Sequence, residues 1–144
     1  MCLPVKPYKI EREWKHLDLS CAVVQNREAM HRCGYVRVPP THPCFGKNYN
    51  DVNVEVHGGL TFGDIEPCTE HEDGQGFWFG FDCAHSDDLC YDPKADLSTV
   101  SEETRQVIEI DKRFPLTSCS HYWTEEEVVE ETNKLAEQLW LMQV

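Results

Sequence analysis

The 144-residue sequence has no long hydrophobic run: no stretch approaches the roughly 20 consecutive apolar residues that a membrane-spanning helix needs. Its first residues, Met1 to Pro7, also lack the apolar core and small-residue cleavage site of a secretory signal. We therefore expect no association with a membrane and a cytoplasmic location.

Basic residues are scarce. Thirteen lysines and arginines stand against 26 aspartates and glutamates, which gives a formal net charge of −13 at pH 7. A surface of this sign repels a phosphate backbone, so we expect no binding of long nucleic acids. A small anionic or nucleotide-like ligand remains compatible with the charge, because backbone N–H groups and a few local cations can hold it.

Closely spaced cysteine pairs are also missing. The eight cysteines include no C-x-x-C pair, which argues against a zinc ribbon or a dense disulfide framework. Without an export signal we expect free thiols, packed as small hydrophobic side chains or used as ligands. The sequence motifs of nucleotide-binding loops, serine esterases, zinc proteases and EF-hands are absent as well.

The hydrophobic pattern predicts one α+β domain over residues 1–144, with a mainly antiparallel sheet. Strands are predicted at 21–25 and 33–38, joined as a hairpin, and at 52–57 and 77–81. Residues 1–18 are expected to form an irregular lead-in or a short helix around residues 11–16, and 101–110 a modest helix. The C-terminal helix has the clearest signal: Thr124 and Glu127 form a capping box, and an apolar stripe follows that would pack on one face of the sheet.

The segment Val52–His57, followed by Gly58 and Gly59, carries the first chemical signal. Its alternating valines define a buried face and leave His57 on the opposite one. Adjacent glycines let the backbone approach a ligand closely and expose N–H groups to an anion. His57 would act as a general acid or base or as a metal ligand. The alternative is a β-bulge whose histidine bonds a nearby carbonyl.

Asp82 and His85 form a second polar pair, directly after an apolar strand. If that strand lies beside the first segment, then His57, Asp82 and His85 converge on one pocket. They would serve as catalytic acid, base and orienting carboxylate, or as a two-histidine, one-carboxylate set for one divalent metal ion. Alternatively, Asp82 caps the next turn and His85 is exposed to solvent.

Four neighbouring positions complete the prediction. Thr61 can donate to a phosphate, and Trp78 can stack on a nucleobase or sugar, although aromatic residues in such a strand are usually core. Cys83 is expected to be a thiol packed in the core rather than a soft ligand for a metal ion. The acidic pair that includes Asp88 is expected to lie in a solvated loop.

Three segments together resemble a family of short proteins common in bacteriophages and their bacterial hosts: Gly34–Pro39, Val56–Phe62 and Gly80–His85. The resemblance covers about residues 20–90 and the C-terminal helix. It implies a phage or prophage origin, and hence the host cytoplasm as the location. Small phage proteins with nucleotide-sized pockets often cleave or sequester host defence signals, so the likeness implies an anti-defence role by association and transfers no catalytic residue.

Taken together, the sequence predicts a small hydrolase acting on a phosphoester or a cyclic-nucleotide-like ligand. His57, His85 and Asp82 would be catalytic, and the ligand would contact Gly58, Gly59, Thr61 and Trp78. A second hypothesis is a non-catalytic protein that sequesters a nucleotide signal or docks on a host protein. A third is that the motifs are structural and that function lies on a protein-binding surface.

Overall fold

Five strands and two helices form the framework of the computed structural model, which describes residues 2–69, 71–85, 88–113 and 121–143. The strands are Lys9–His16 (β1), Leu19–Gln25 (β2), Arg32–Val38 (β3), Phe62–Ile65 (β4) and Phe77–Asp82 (β5). A short 3-10 helix spans Tyr49–Asp51, and the α-helices span Glu102–Arg113 (α1) and Glu125–Leu141 (α2). Neighbouring strands are antiparallel in the order β1–β2–β3–β5–β4, which confirms the expected α+β fold. Neither α1 nor α2 is long and apolar enough to cross a membrane.

The helix α2 covers one face of the sheet, as predicted. Its buried stripe runs from Val128 to Leu139 and packs against fully buried strand residues such as Val36 and Phe79. A Cβ at Gly34 would lie 2.3 Å from Thr132 Oγ1, so glycine is what lets the helix approach β3 so closely.

The predicted capping box fixes where α2 begins. The Thr124 hydroxyl accepts from the Glu127 N–H at 3.2 Å, and the Glu127 carboxylate accepts from the Thr124 N–H at 3.0 Å. The predicted helix before it is also present, as α1. Only Ile108 of α1 is buried, so this helix adds little to the core.

The opposite face of the sheet is covered by the N-terminal segment, residues 2–8. Leu3 and Val5 pack there against a cluster that includes Tyr35 and Trp78. A disulfide between Cys2 and Cys68 ties this segment to the connection between β4 and β5.

The disulfide shows that the expectation of free thiols was wrong for Cys2 and Cys68. Their sequence separation of 66 residues gives no local signal of pairing, because the tertiary fold alone brings them together. The expectation is confirmed for four buried free thiols, Cys21, Cys33, Cys44 and Cys83, while Cys90 is free and exposed. Cys119 lies outside the described residues.

Two predicted elements are different in the structure. Residues 11–16 are neither helical nor irregular but belong to β1, which pairs with β2 through a tight turn. Both turn residues, Leu17 and Asp18, have positive φ angles of 51° and 65°. Two-residue hairpin turns with positive φ at both positions usually contain Asn or Gly. Leu17 and Asp18 are neither, so the sequence gives no such signal for this turn.

The segment Val52–His57 was wrongly predicted as a strand of the sheet. Its valines do face the core, with Val52 buried and Val54 and Val56 packed against it. Its backbone joins no strand of the sheet and bonds instead to side chains of α2: Gln138 both donates to the Glu55 carbonyl and accepts from its N–H. The alternation therefore reflects packing under a helix, which leaves the same period-two pattern as a strand ladder.

Candidate functional site

The segment 52–57 delivers His57 to the N-terminal half of α2. The His57 N–H donates to Glu131 Oε1 at 3.1 Å, and the imidazole stacks on Trp123 with ring centroids 4.2 Å apart. A hydrogen bond at the backbone and a ring contact at the side chain thus fix both ends of the residue. Its side chain is 22 % exposed, so one edge remains open to solvent.

The turn after β5 delivers the second histidine. The Asp88 N–H donates to the His85 carbonyl at 2.9 Å, and Asp88 Oδ2 accepts from the His85 N–H at the same distance. Asp88 also forms an isolated bridge with His121, just before α2. The turn is therefore anchored to the same end of α2 that holds His57.

His57, His85 and Asp88 meet at this point. His57 Nε2 lies 2.9 and 2.8 Å from the two Asp88 carboxylate oxygens, and His85 Nδ1 lies 2.9 Å from Oδ2. The imidazole rings are edge to face, with centroids 5.0 Å apart. One potential ligand atom from each of the three residues lies within 4.8 Å of the others, a spacing that suits a single metal ion.

His85 has a carboxylate at each ring nitrogen. Nδ1 faces Asp88 at 2.9 Å, and Nε2 faces Asp82 Oδ1 at 3.3 Å. A neutral imidazole carries one proton, so it can donate to only one of these two acceptors. The other contact places a nitrogen lone pair against a carboxylate oxygen, an arrangement that is repulsive unless a second proton or a metal cation lies between them.

Asp88 is the buried anion of the site, with its side chain 2 % exposed. Burial acts to raise the pKa of its carboxyl group, but hydrogen bonds from His57 and His85 outweigh burial, and the net pKa lies below the ordinary value. Asp88 is therefore ionised at neutral pH. The expectation of a solvated loop was wrong for this residue, because distant parts of the chain cover it.

Asp82 lies next to the centre and was predicted to be part of it. Its Oδ1 lies 3.3 Å from His85 Nε2, so it contacts the centre through His85 alone, and it also accepts from the Ala84 N–H at 3.3 Å, the turn-capping contact of the alternative interpretation. The structure brings His57 and His85 together and places Asp82 beside His85. The carboxylate that lies between the two histidines is that of Asp88 and not that of Asp82.

The two glycines differ in their contacts. Both have positive φ, 68° at Gly58 and 78° at Gly59, values that favour glycine. At Gly58 a Cβ would lie 2.1 Å from the His85 ring, so its missing side chain makes room for the imidazole. The Gly59 N–H donates to the Val56 carbonyl at 2.9 Å and closes the turn, which leaves this N–H occupied and not free for an anion.

Thr61 and Trp78 lie away from the two histidines. Trp78 is 1 % exposed and its indole N–H donates to Glu66 at 3.2 Å, so the ring is a core residue, as aromatic residues in strands usually are, and no face is open to a ligand. Thr61 is exposed and lines a cavity of about 210 Å³ beneath the N-terminal segment, together with His31 and Asp82. Asp82 is thus shared between this cavity and the histidine centre.

Asp88, Trp123, Glu131 and His31 are the residues that sequence reasoning missed. A weak signal existed for Asp88, since Asp82, His85 and Asp88 follow each other at intervals of three residues. For His31, burial lowers the pKa of the imidazole while Asp82 and Asp88 oppose that effect. No local pattern marks Trp123 or Glu131, whose roles depend on where the segment 52–57 crosses α2.

Comparisons of the chain with protein-family models, with curated proteins and with solved structures give no match.

Proposed function

We propose that His57, His85 and Asp88 bind one divalent metal ion of the zinc type, which the protein uses to hydrolyse a small phosphoester or cyclic-nucleotide-like substrate. The observation that carries the proposal is the cluster of three donor atoms within 4.8 Å, with His85 facing a carboxylate at both ring nitrogens. Two imidazoles and one carboxylate are a ligand set found in catalytic zinc sites, where a further position stays open for water or substrate.

Asp82 supports the proposal as the partner of a metal ligand. Histidines that bind metals commonly donate their second ring N–H to a carboxylate, which fixes the tautomer and the ring orientation. Asp82 Oδ1 lies at an ion-pair distance of 3.3 Å from His85 Nε2, which places a carboxylate beside that nitrogen. With the proton on Nε2, the Nδ1 lone pair of His85 points toward Asp88. A cation at this point would be bound by His85 Nδ1 and by the Asp88 carboxylate.

Local charge explains why a phosphoester would need the metal ion. Asp82, Asp88 and Glu131 surround the histidines with carboxylates, and this arrangement repels a free phosphate. A divalent cation held by His57, His85 and Asp88 would reverse the local potential and would supply a Lewis acid for a phosphoryl oxygen and for a water molecule. His57 and His85 are 22 % and 29 % exposed, which leaves the site accessible from solvent.

A metal-free centre is the second candidate, favoured by the direct contacts of 2.8–2.9 Å between Asp88 and both imidazoles. In this arrangement Asp88 orients the histidines by hydrogen bonds, and one imidazole transfers a proton to or from the substrate. The same residues are required in both candidates, so only the metal distinguishes them.

Metal binding provides the first test. With its disulfide intact, the wild-type protein should bind one equivalent of zinc, measured by elemental analysis and by competition with a chromogenic chelator. His57→Ala and Asp88→Asn should each weaken binding on the order of a hundredfold, and Asp82→Asn by about tenfold. His16→Ala is the matched control, because His16 also pairs with a helix carboxylate, Glu137 at 3.1 Å, and is 30 % exposed. Wild-type affinity in His57→Ala would exclude the metal centre.

Turnover provides the second test, with a nitrophenyl phosphodiester and a set of cyclic nucleotides as probes. Zinc-dependent hydrolysis that is lost in Asp88→Asn supports the proposed function. Hydrolysis without metal that is lost in His57→Ala supports the metal-free centre. A nucleotide that binds and is recovered intact indicates sequestration, and no binding or turnover of any probe contradicts all three.

A further inference from the structure

A second group of metal-binding side chains lies where the N-terminal segment meets the connection between β4 and β5. The Cys2–Cys68 disulfide lies beside His71, whose Nε2 is 3.3 Å from Cys68 Sγ. One donor atom from each of the three residues lies within 4.8 Å of the others. Two cysteine sulfurs and an imidazole are the ligands that zinc selects in structural sites.

We propose that Cys2, Cys68 and His71 form a zinc site that exists only when the disulfide is reduced. In the oxidised protein both sulfurs are bonded to each other and cannot act as thiolate ligands. A dithiol reductant would supply two electrons and two protons, so that the S–S bond breaks, two thiols form and the reductant becomes a disulfide. Zinc then replaces the two thiol protons, which pass to solvent.

The three ligands are held near one another by contacts that do not depend on the S–S bond. On one side, Leu3 and Val5 pack the N-terminal segment against the Tyr35 and Trp78 cluster. On the other, the connection between β4 and β5 is fixed by Arg37, which binds Glu66 and Asp73 at 2.9–3.0 Å. Reduction therefore leaves two thiols facing each other beside an imidazole.

Charge around His71 also favours a cation. Glu66 Oε1 lies 3.5 Å from the same Nε2 that contacts Cys68, and the Glu66 side chain has no solvent exposure. Arg37 pairs with both Glu66 and Asp73, so these three groups together carry one net negative charge, which favours a positive ion nearby. His71 itself is exposed and Cys2 and Cys68 are half-buried, so reductant and zinc can reach the group.

The five free thiols of the described chain are not part of such a group: Cys21, Cys33, Cys44, Cys83 and Cys90. Cys21, Cys33 and Cys83 are almost fully buried, and burial raises the pKa of each thiol, to about 12 for the first two. Cys90 is exposed, and its thiol is directed to the Asp88 carbonyl at 3.9 Å. Among the described residues, Cys2, Cys68 and His71 are thus the one group that joins two cysteine sulfurs to a histidine.

Cobalt substitution separates this site from the His57, His85 and Asp88 centre. Thiolate-bound Co²⁺ has an intense near-ultraviolet charge-transfer absorption that histidine and carboxylate ligands do not give. Reduced wild-type protein, handled without oxygen, should develop this absorption with one equivalent of Co²⁺ and lose it when zinc is added. The oxidised protein should not develop it.

Single variants identify which residues bind the cobalt ion that gives this absorption. His71→Ala, which keeps both sulfurs, should weaken cobalt binding at least tenfold, and Cys68→Ser should abolish the absorption. Cys90→Ser and His57→Ala should leave it unchanged, which makes the result independent of the proposed function. Far-ultraviolet circular dichroism verifies that each variant is folded. The proposal is overturned if reduced wild-type protein shows no such absorption, or if Cys90→Ser or His57→Ala removes it.

Discussion

Gly58 determines how closely His57 and His85 can approach each other. A Cβ at this position would overlap the His85 ring at 2.1 Å, and the φ of 68° adds a cost for any L-residue with a side chain. Gly59 has a similar φ of 78°, but no other group lies within 4 Å of the position that a Cβ would occupy there. A side chain at Gly58 would therefore cause both a steric clash and backbone strain, whereas a side chain at Gly59 would cause backbone strain alone.

Gly58→Ala should displace the His85 ring from Asp88 and weaken zinc binding by about tenfold or more, as loss of a ligand's orientation does in other metal sites. Gly59→Ala should lower the free energy of unfolding by about 1–2 kcal/mol through φ alone and leave zinc affinity unchanged. Zinc titration and urea denaturation of both variants measure the two effects separately. Equal zinc affinities in the two variants would contradict the role assigned to Gly58.

Single-residue patterns predicted part of the site and missed its buried anion. The outward direction of His57 followed from alternation with the valines before it, and His85 followed from its place after an apolar strand. Asp88 was assigned to solvent because two adjacent aspartates are typical of exposed loops. Its burial depends on His57 and on the chain before α2, which are 31 and more residues away, and a local pattern contains no information about such contacts.

At the scale of elements, Glu66 joins β3 to the connection between β4 and β5. It is fully buried and accepts from Arg37, from the Gly76 N–H at 2.7 Å and from the Trp78 indole. Burial acts to raise its pKa, but the hydrogen bonds and the charge of Arg37 outweigh burial, and the net pKa is below the ordinary 4.5. The ionised form is thus stabilised by folding.

Glu66→Gln should lower the free energy of unfolding at pH 7 by about 2–3 kcal/mol, because Arg37 then loses a buried partner. Since the folded pKa of Glu66 is depressed, its contribution is complete above the unfolded pKa of 4.5 and is lost as the pH falls through the lower folded value. The difference in the free energy of unfolding between wild type and Glu66→Gln should therefore become smaller below pH 4.5. Urea denaturation between pH 3 and 7 measures it, with the exposed Glu130→Gln as control. A difference that stays constant with pH would contradict this account.

Local patterns predicted the elements that carry their own signal. The strands β2, β3 and β5 are apolar and β-branched or aromatic, and α2 has both a capping box and a stripe, so each was found close to its true bounds. The strand β1 was missed because its residues are mostly charged and its turn lacks glycine. Segment 52–57 was assigned to the sheet because a chain packed under a helix alternates in the same way.

At the scale of the molecule, the two faces of the sheet are covered in different ways. One face is covered by α2, a helix with its own cap and a continuous buried stripe. The other is covered by the short N-terminal segment, in which Leu3 and Val5 make the apolar contacts and the Cys2–Cys68 disulfide supplies the covalent link. Because the segment has so little apolar surface, the disulfide adds a large share of the stability with which it is held, beyond the packing of Leu3 and Val5.

Loss of the link should therefore destabilise the whole fold. A disulfide between residues 66 positions apart restricts the unfolded chain, and its removal typically costs about 2–4 kcal/mol. With a chelator present to remove zinc, Cys68→Ser should have a free energy of unfolding lower by this amount, measured with urea, and reduced wild-type protein should match the variant. Cys90→Ser, which removes an exposed free thiol, should behave as oxidised wild type. If Cys68→Ser and oxidised wild type unfold at the same urea concentration, the N-terminal segment is held by packing alone, and the covalent link has no part in keeping the second face of the sheet covered.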